Sequence, residues 1–322
     1  MKKIDKIGLA GKLTIGLEFP LDNDWSADGD RKRKQDGRPF GVPDITNHKK
    51  LAQLADQLGF SALWIRDVPV YDPNFGDAAQ QFEAFSYLGY LSGVTKNIML
   101  GTAAIVLPLR EPILVAKSSA TVDLLSEGRL LLGLGLGDRA VEFPMFGYND
   151  ENRAERFRNG VELMKHIWKK HGYLDDFYPA LGHDMQVFPK PTQEAIPLVM
   201  AGFGQQSLEW IASHMQAWFN YPRTVLETKH QAALWKHELE RLNLGHKPYI
   251  TAFHLKLEEN SSAIVKPHRF GGSAGRNTLI SLLKDYQTAG VNHIGLQLRH
   301  SDRPLEDVIA EIAEYVLPEF AD

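Results

Sequence analysis

Charged residues in this sequence gather where apolar runs stop. Glu18 ends KLTIGLEFPL, Arg66 and Asp67 end FSALWIR, and Arg110, Asp138, Arg139, Arg223 and His300 follow later runs. If those runs are strands whose ends converge, such side chains could orient a substrate or move a proton; Arg66 and Asp67 are the candidate catalytic pair, as polar orienters or proton donors. Two glycine-rich turns could hold an anion. In Gly202-Phe203-Gly204-Gln205-Gln206-Ser207 an apolar run ends and a helix begins, so free backbone N–H groups and the positive helix end can face a phosphate. Gly271-Gly-Ser-Ala-Gly275 is a competing cradle. Gly135-Leu-Gly-Asp-Arg-Ala140 fits the loose dinucleotide fingerprint, but Pro144 and Gly147 interrupt the helix it would need. It reads as a strand whose glycines make room for a ligand or a neighbouring backbone.

Other chemistries find little support. There is no cysteine, hence no disulfide, thiolate metal site or Cys nucleophile. The twelve histidines lack H-E-x-x-H spacing and there is no G-x-S-x-G elbow; His254 and His293 read as structural. Lys256 is the one candidate for a Schiff-base aldolase, an alternative reading of an unknown barrel.

The elements that position these residues alternate. Apolar runs at Lys12–Leu21, Phe60–Val70, Ile98–Val106, from Arg129, Ile196–Gly202, Gln216–Pro222, Tyr249–Leu257 and Val291–Arg299 are separated by segments with helical spacing, such as Leu51, Leu54, Ala55 and Leu58, or Phe157, Val161, Met164 and Trp168. About eight strand–helix pairs predict an α/β fold, a (β/α)8 TIM barrel formed by one domain over residues 1–322, with a doubly wound open sheet as the alternative. Residues 22–44 are expected to be a solvated loop, its basic run Arg31–Lys34 balanced by Asp28, Asp30 and Asp36.

With 322 residues, 43% of them apolar, and a formal net charge of −4, the chain can bury a full core and offers no basic surface for nucleic acid. No segment has the roughly 20 apolar residues that span a bilayer, and MKKIDKIGLAGK has no apolar run like that of a secretory signal. A cytoplasmic location is expected.

GTAAIVLP (Gly101–Pro108) followed by SEGRLLLGLGLG (Ser126–Gly137) resembles the centre of the bacterial luciferase-like flavin monooxygenase family. The resemblance implies the barrel, and an oxidoreductase that uses reduced FMN and O2 on a small organic substrate, with the flavin supplied by a separate reductase. It assigns the flavin phosphate to the loop Gly202–Ser207 and to Arg153 in NRAERF, with Arg156 the alternative. It also implies a cis peptide at Ala103-Ala104, whose small side chains would let the ring lie against backbone. The chain departs from luciferase itself, since Val68 replaces a catalytic histidine and Gly135 a reactive cysteine; light emission from a long-chain aldehyde is not expected. A deazaflavin-dependent hydride-transfer enzyme and a non-catalytic flavin-binding relative are the alternatives. Luciferase-like proteins commonly dimerise through the two helices flanking the third strand. A homodimer is therefore expected, through a small-residue stripe (Ala116, Ser119, Ala120, Asp123) and the aromatics Phe82, Phe85 and Tyr90.

Overall fold

The computed structural model describes residues 3–21, 26–75, 79–181 and 184–321. Its strands are β1 (Thr14–Phe19), β2 (Ala62–Ile65), β3 (Met99–Thr102), β4 (Ile105–Val106), β5 (Leu130–Gly135), β6 (Leu198–Ala201), β7 (Ala217–Asn220), β8 (Tyr249–Leu257), β9 (Lys266–His268), β10 (Gly271–Ala274) and β11 (His293–Gln297). Its α-helices are α1 (Ala27–Gln35), α2 (His48–Gln57), α3 (Ala84–Val94), α4 (Pro112–Leu125), α5 (Glu142–Met145), α6 (Arg153–Trp168), α7 (Leu208–His214), α8 (Val225–Arg241), α9 (Arg276–Thr288) and α10 (Leu305–Glu311). Eight strands pair in parallel in the order β11-β1-β2-β3-β5-β6-β7-β8, and β8 pairs back onto β11, so the sheet closes into the expected (β/α)8 barrel. No helix among the described residues is long and apolar enough to cross a membrane.

Closure gives each strand two buried faces, which is why the strands read as apolar throughout. Outward residues such as Leu17, Leu63, Leu100, Leu132, Leu198 and Leu296 share one core with the helices. Inward residues form a second core: Ala62, Trp64, Met99, Leu131, Val199, Ala217, Phe219 and Ile250, with Ile4 and Ile7 packed on them from the N-terminal 3-10 turn. Trp64 fills the middle of the barrel. Glycines on two other strands admit it, for a Cβ at Gly101 would lie 2.5 Å from the indole and one at Gly295 3.2 Å.

Four sequence expectations change. Residues 27–35 form α1 rather than loop. Its cations pair along the helix with Asp28 and Asp30, for instance Arg31 to Asp28 at 2.9 Å and Lys34 to Asp30 at 2.6 Å, so the basic run is a solvated face as expected. Asp22 to Trp25 lie outside the described residues. The run Ile98–Val106 is two strands, β3 and β4, parted at Ala103-Ala104, whose peptide bond is cis as the resemblance implies. Gly271–Ala274, the body of the alternative cradle, form β10, which lies parallel to β8 and antiparallel to β9, with Gly275 capping α9; a Cβ at Gly271 would lie 2.0 Å from the His254 carbonyl oxygen, so this glycine admits the neighbouring strand. The stripe on α4 faces inward: Ala116, Ser119, Ala120 and Asp123 are buried within the chain, while Leu114 is exposed. Trp168 Nε1 donates to the Ala116 carbonyl at 3.0 Å, and the Asp123 carboxylate accepts from the Thr192 and Gln193 backbone N–H groups.

Trp64 donates to His293 Nε2 at 2.8 Å, so His293 carries its proton on Nδ1, 2.8 Å from Thr14 Oγ1. Complete burial pushes its pKa down to about 3, and His254 is lowered to about the same value, by burial first and then by Arg66. Below the ordinary histidine pKa of 6.5 the unfolded chain takes up protons that these folded-state rings refuse. Stability should therefore fall between pH 6.5 and about pH 3, by about 1.4 kcal/mol per pH unit for each such ring. His293→Gln should be less stable than the parent at pH 7 yet decline less steeply below pH 6, as measured by urea midpoints.

Candidate active site

The inward face of the barrel ends in a layer of residues at the C-terminal mouth, and this layer divides in two. Alternation along β1, β2, β8 and β11 places Glu18, Arg66, His254 and Gln297 inward, one register step above Gly16, Trp64, Ala252 and Gly295. On β3, β5 and β6 the corresponding positions are Ala103, Gly135 and Ala201. A Cβ at Gly135 would lie 3.4 Å from that of Ala104 and 4.0 Å from that of Ala201, so these small residues form one bare floor.

On the polar half, Arg66 pairs with Glu18, its Nε 2.9 Å from Oε1 and its Nη2 3.1 Å from Oε2. The same Nη2 stands 3.4 Å from His254 Nε2. Burial and then the Arg66 charge hold His254 neutral. The ring therefore does not serve as an imidazolium acid near neutral pH, and the charge of Arg66 is matched by Glu18.

Asp67 is not part of this group. As the next residue along the chain it points the other way and accepts Arg110 in a fork, Nε at 3.0 Å and Nη2 at 2.8 Å, together with the Val106 N–H at 3.2 Å. Arg110 also faces Glu83, which caps α3 by accepting from Ser86 N at 2.8 Å. The chain Asp67–Arg110–Glu83 thus fastens the end of β2 to β4 and α3, on either side of the Ala103-Ala104 floor.

The loop Gly202–Ser207 lies beside that floor. Gly202, Gly204 and Gln205 all have positive φ (65°, 52° and 54°), which turns successive peptides over; the Gly202 N–H donates to the Phe219 carbonyl at 2.8 Å, while those of Gly204 and Gln205 have no backbone partner among the described residues. A Cβ at Gly202 would meet nothing within 4 Å. Phe203 is half exposed and set edge-on to Trp218 at 4.9 Å. Two side chains of the loop are spent on its shape. Ser207 Oγ caps α7 by accepting from Trp210 N, and Gln206 uses both ends of its amide, accepting from Arg158 and donating to the Ala154 and Gly204 carbonyls. Gln206 thereby ties the loop to the first turn of α6, where Arg153 lies over the Phe143 ring at 5.7 Å and Arg156 over Tyr148 at 3.4 Å.

Lys256 is ion-paired with Asp302, and this hydrogen bond raises its pKa. A lysine so held is a poor nucleophile, which argues against the aldolase reading. No cluster among the described residues could hold a metal ion. Two residues of the polar half lie outside the sequence candidates for the site: His254, expected to be structural, and Gln297. Their signal was the strand period, for each falls in phase with inward positions on its own strand.

Residues 25–282 match the profile of the luciferase-like monooxygenase family. An uncharacterised protein of Mycobacterium tuberculosis is 30% identical over 190 residues, which is 54% of this chain and 67% of that protein. An F420-dependent glucose-6-phosphate dehydrogenase of Amycolatopsis mediterranei is 25% identical over 175 residues, 52% of this chain and half the length of the relative. The barrel superposes with a TM-score of 0.68, at 15% identity over 96% of this chain and 99% of the other, on the FMN complex of the oxygenating constituent of 3,6-diketocamphane monooxygenase from Pseudomonas putida. The profile spans most of the sequence and the barrel carries it: the chain belongs to the luciferase-like monooxygenase family.

Proposed function

We propose that the barrel mouth is a flavin site and that the protein is an FMN-dependent monooxygenase acting with O2 on a small organic substrate. The observation that carries this reading is the division of the mouth, a bare floor of Ala103, Ala104, Gly135 and Ala201 beside a loop with free N–H groups, facing a polar half. A planar ring fits against such a floor. The backbone of Phe203, Gly204 and Gln205, with Arg153 or Arg156 from α6, would hold its phosphate. Reduced flavin, when bound, would supply the electrons for oxygen chemistry. This chain's own part is to orient and to exclude water: Arg66, fixed by Glu18, would direct a polar substrate towards the floor, and Asp67 through Arg110 would hold the floor in place. A hydride-transfer enzyme using a deazaflavin is the second reading, favoured by the F420-dependent relative.

Absorbance and mass of the cofactor that co-purifies would test the proposal, with oxygen uptake in the presence of reduced FMN. FMN with uptake is expected. Protection from thermal unfolding by reduced F420 alone, without oxygen uptake, would establish the second reading, and binding of neither cofactor would remove both.

The two halves should separate by mutation. Arg66→Ala should lower turnover about tenfold or more while cofactor affinity stays near that of the parent. Asp67→Asn should weaken cofactor binding and cost on the order of 2 kcal/mol of stability, since hydrogen bonds to charged groups are worth about 1.5–3 kcal/mol. Cofactor titration, steady-state kinetics and melting curves check this, and loss of turnover alone in Asp67→Asn would put Asp67 back with the substrate.

For assembly we propose a homodimer through α3 in place of the α4 stripe. Ser86, Tyr90 and Gly93 are exposed on one face with Gly89 between them, and a Cβ at Gly89 or Gly93 would meet nothing within 4 Å. A helix-interior glycine costs roughly 1 kcal/mol relative to alanine, and close approach of a second copy would offset it. Light scattering should give twice the 36.2 kDa chain mass, falling to one chain mass in Gly89→Arg.

A further inference from the structure

Gln297 is the last residue of β11 and sits wholly buried at the barrel mouth, in register with His254 on β8. Neither its Nε2 nor its Oε1 has a hydrogen-bond partner among the described residues. A buried amide with both ends unmet is costly, because the interior does not replace the water it gave up. Such a group persists where something outside the chain completes it. The positions around it show what that would be. Gln297 lies between Glu18 and His254, on a strand flanked by theirs, and Arg66 reaches from beyond β2 to both of those residues. Arg66 keeps about a quarter of its side chain exposed, and turning outward would break its paired contacts with Glu18 and its contact with His254, so the ligand must replace them.

We infer that Gln297 is a specificity-determining residue that reads a neutral substrate presenting an N–H and a C=O side by side, as a lactam or other cis amide does, once Arg66 turns aside. This rests on the reading of the mouth as a cofactor-and-substrate site. Two parallel hydrogen bonds would form, the ligand N–H donating to Oε1 and Nε2 donating to the ligand carbonyl. A carboxylate would satisfy Nε2 alone and leave Oε1 facing an anion. The charge of Arg66 is already matched by Glu18. A flavin also carries an N–H/C=O edge. The bare floor that suits its ring lies across the barrel on β3, β5 and β6, so the substrate is assigned to Gln297.

The test compares δ-valerolactam with cyclohexanone, a ring of the same size that has the acceptor and lacks the donor. Binding to the full chain is measured by calorimetric or ligand-observed NMR titration, with no cofactor present, so that the result does not depend on the identity of the cofactor. The lactam is expected to bind at least tenfold more tightly. In Gln297→Leu the two should bind within threefold of each other, and the variant should melt at the same temperature as the parent or higher, because an unmet amide has gone. Gln297→Met should behave alike and guards against misfit of the branched side chain. Equal binding of lactam and ketone to the parent would overturn the inference and leave the amide to a buried water. A tenfold preference that survives in both variants would overturn it too, as would a lower melting temperature in both, which would give the amide a structural partner. FMN and F420 titrations form the second arm. Weakening of either cofactor by Gln297→Leu, without any lactam preference in the parent, would assign the edge to the cofactor and overturn the assignment to substrate.

Discussion

An eight-stranded barrel must fill its own interior, and in this protein one indole sets how that is done. Trp64 lies across the middle layer, against the Phe219 ring at 5.1 Å, with its N–H committed to His293. Glycines at 101 and 295 follow from that choice, because a side chain at 101 would collide with the ring and one at 295 would crowd it. The layer above cannot be apolar in the same way, since it faces the open end of the barrel. It holds Glu18, Arg66, His254 and Gln297 on one side and, on β3, β5 and β6, residues no larger than alanine. The floor of the candidate site is therefore the upper surface of the barrel core, and its rigidity comes from the packing beneath it.

That dependence explains what could be read from the sequence. Strand order and barrel closure were legible because apolar runs and helical spacing alternate over the whole chain, and each run needs two covered faces. The Gly202–Ser207 turn was legible as well, since glycines between a strand and a helix have few other uses. Its internal division of labour was not. Gln206 and Ser207 hold the loop together through Arg158, Ala154 and Trp210, contacts that bridge segments about fifty residues apart or depend on where a helix is capped. The same holds for Arg66 and Asp67. Adjacent in sequence, they read as a pair, yet strand alternation sends one into the mouth and the other against Arg110.

Gly271–Ala274 shows the opposite case, in which glycines that suggest an open loop turn out to serve strand packing. Glycines free a backbone for a phosphate or for a neighbouring strand, and local sequence does not distinguish the two. Here β8 continues beyond the barrel rim, and β10 lies beside it closely enough that a Cβ would strike the His254 backbone. The α4 stripe is a similar case. Small residues at helical spacing permit close approach, and the partner that approaches is this chain's own α6, with Trp168 hydrogen-bonded to α4, leaving Leu114 rather than the stripe to face outward.

The motifs that carry the family resemblance sit on one half of the barrel. GTAAIVLP is β3, the floor and β4; SEGRLLLGLGLG is the end of α4 and β5. Much of what they supply is structure. Arg129 is buried and donates to the Ser126, Ile98, Ser92 and Thr95 carbonyls, joining the base of β5 to that of β3 and the end of α3. The polar half is built from β1, β2, β8 and β11, and the matched profile, residues 25–282, contains neither Glu18 nor Gln297. Arg66 and His254, by contrast, lie within the matched profile, so the polar half is only partly outside it. A chain can keep the floor and the loop beside it, which suit a ring common to many enzymes, while the facing half changes with few consequences for the core. The missing luciferase histidine fits this picture. Val68 stands in its place on the β2 side, where Arg66 and its partner Glu18 now occupy the mouth.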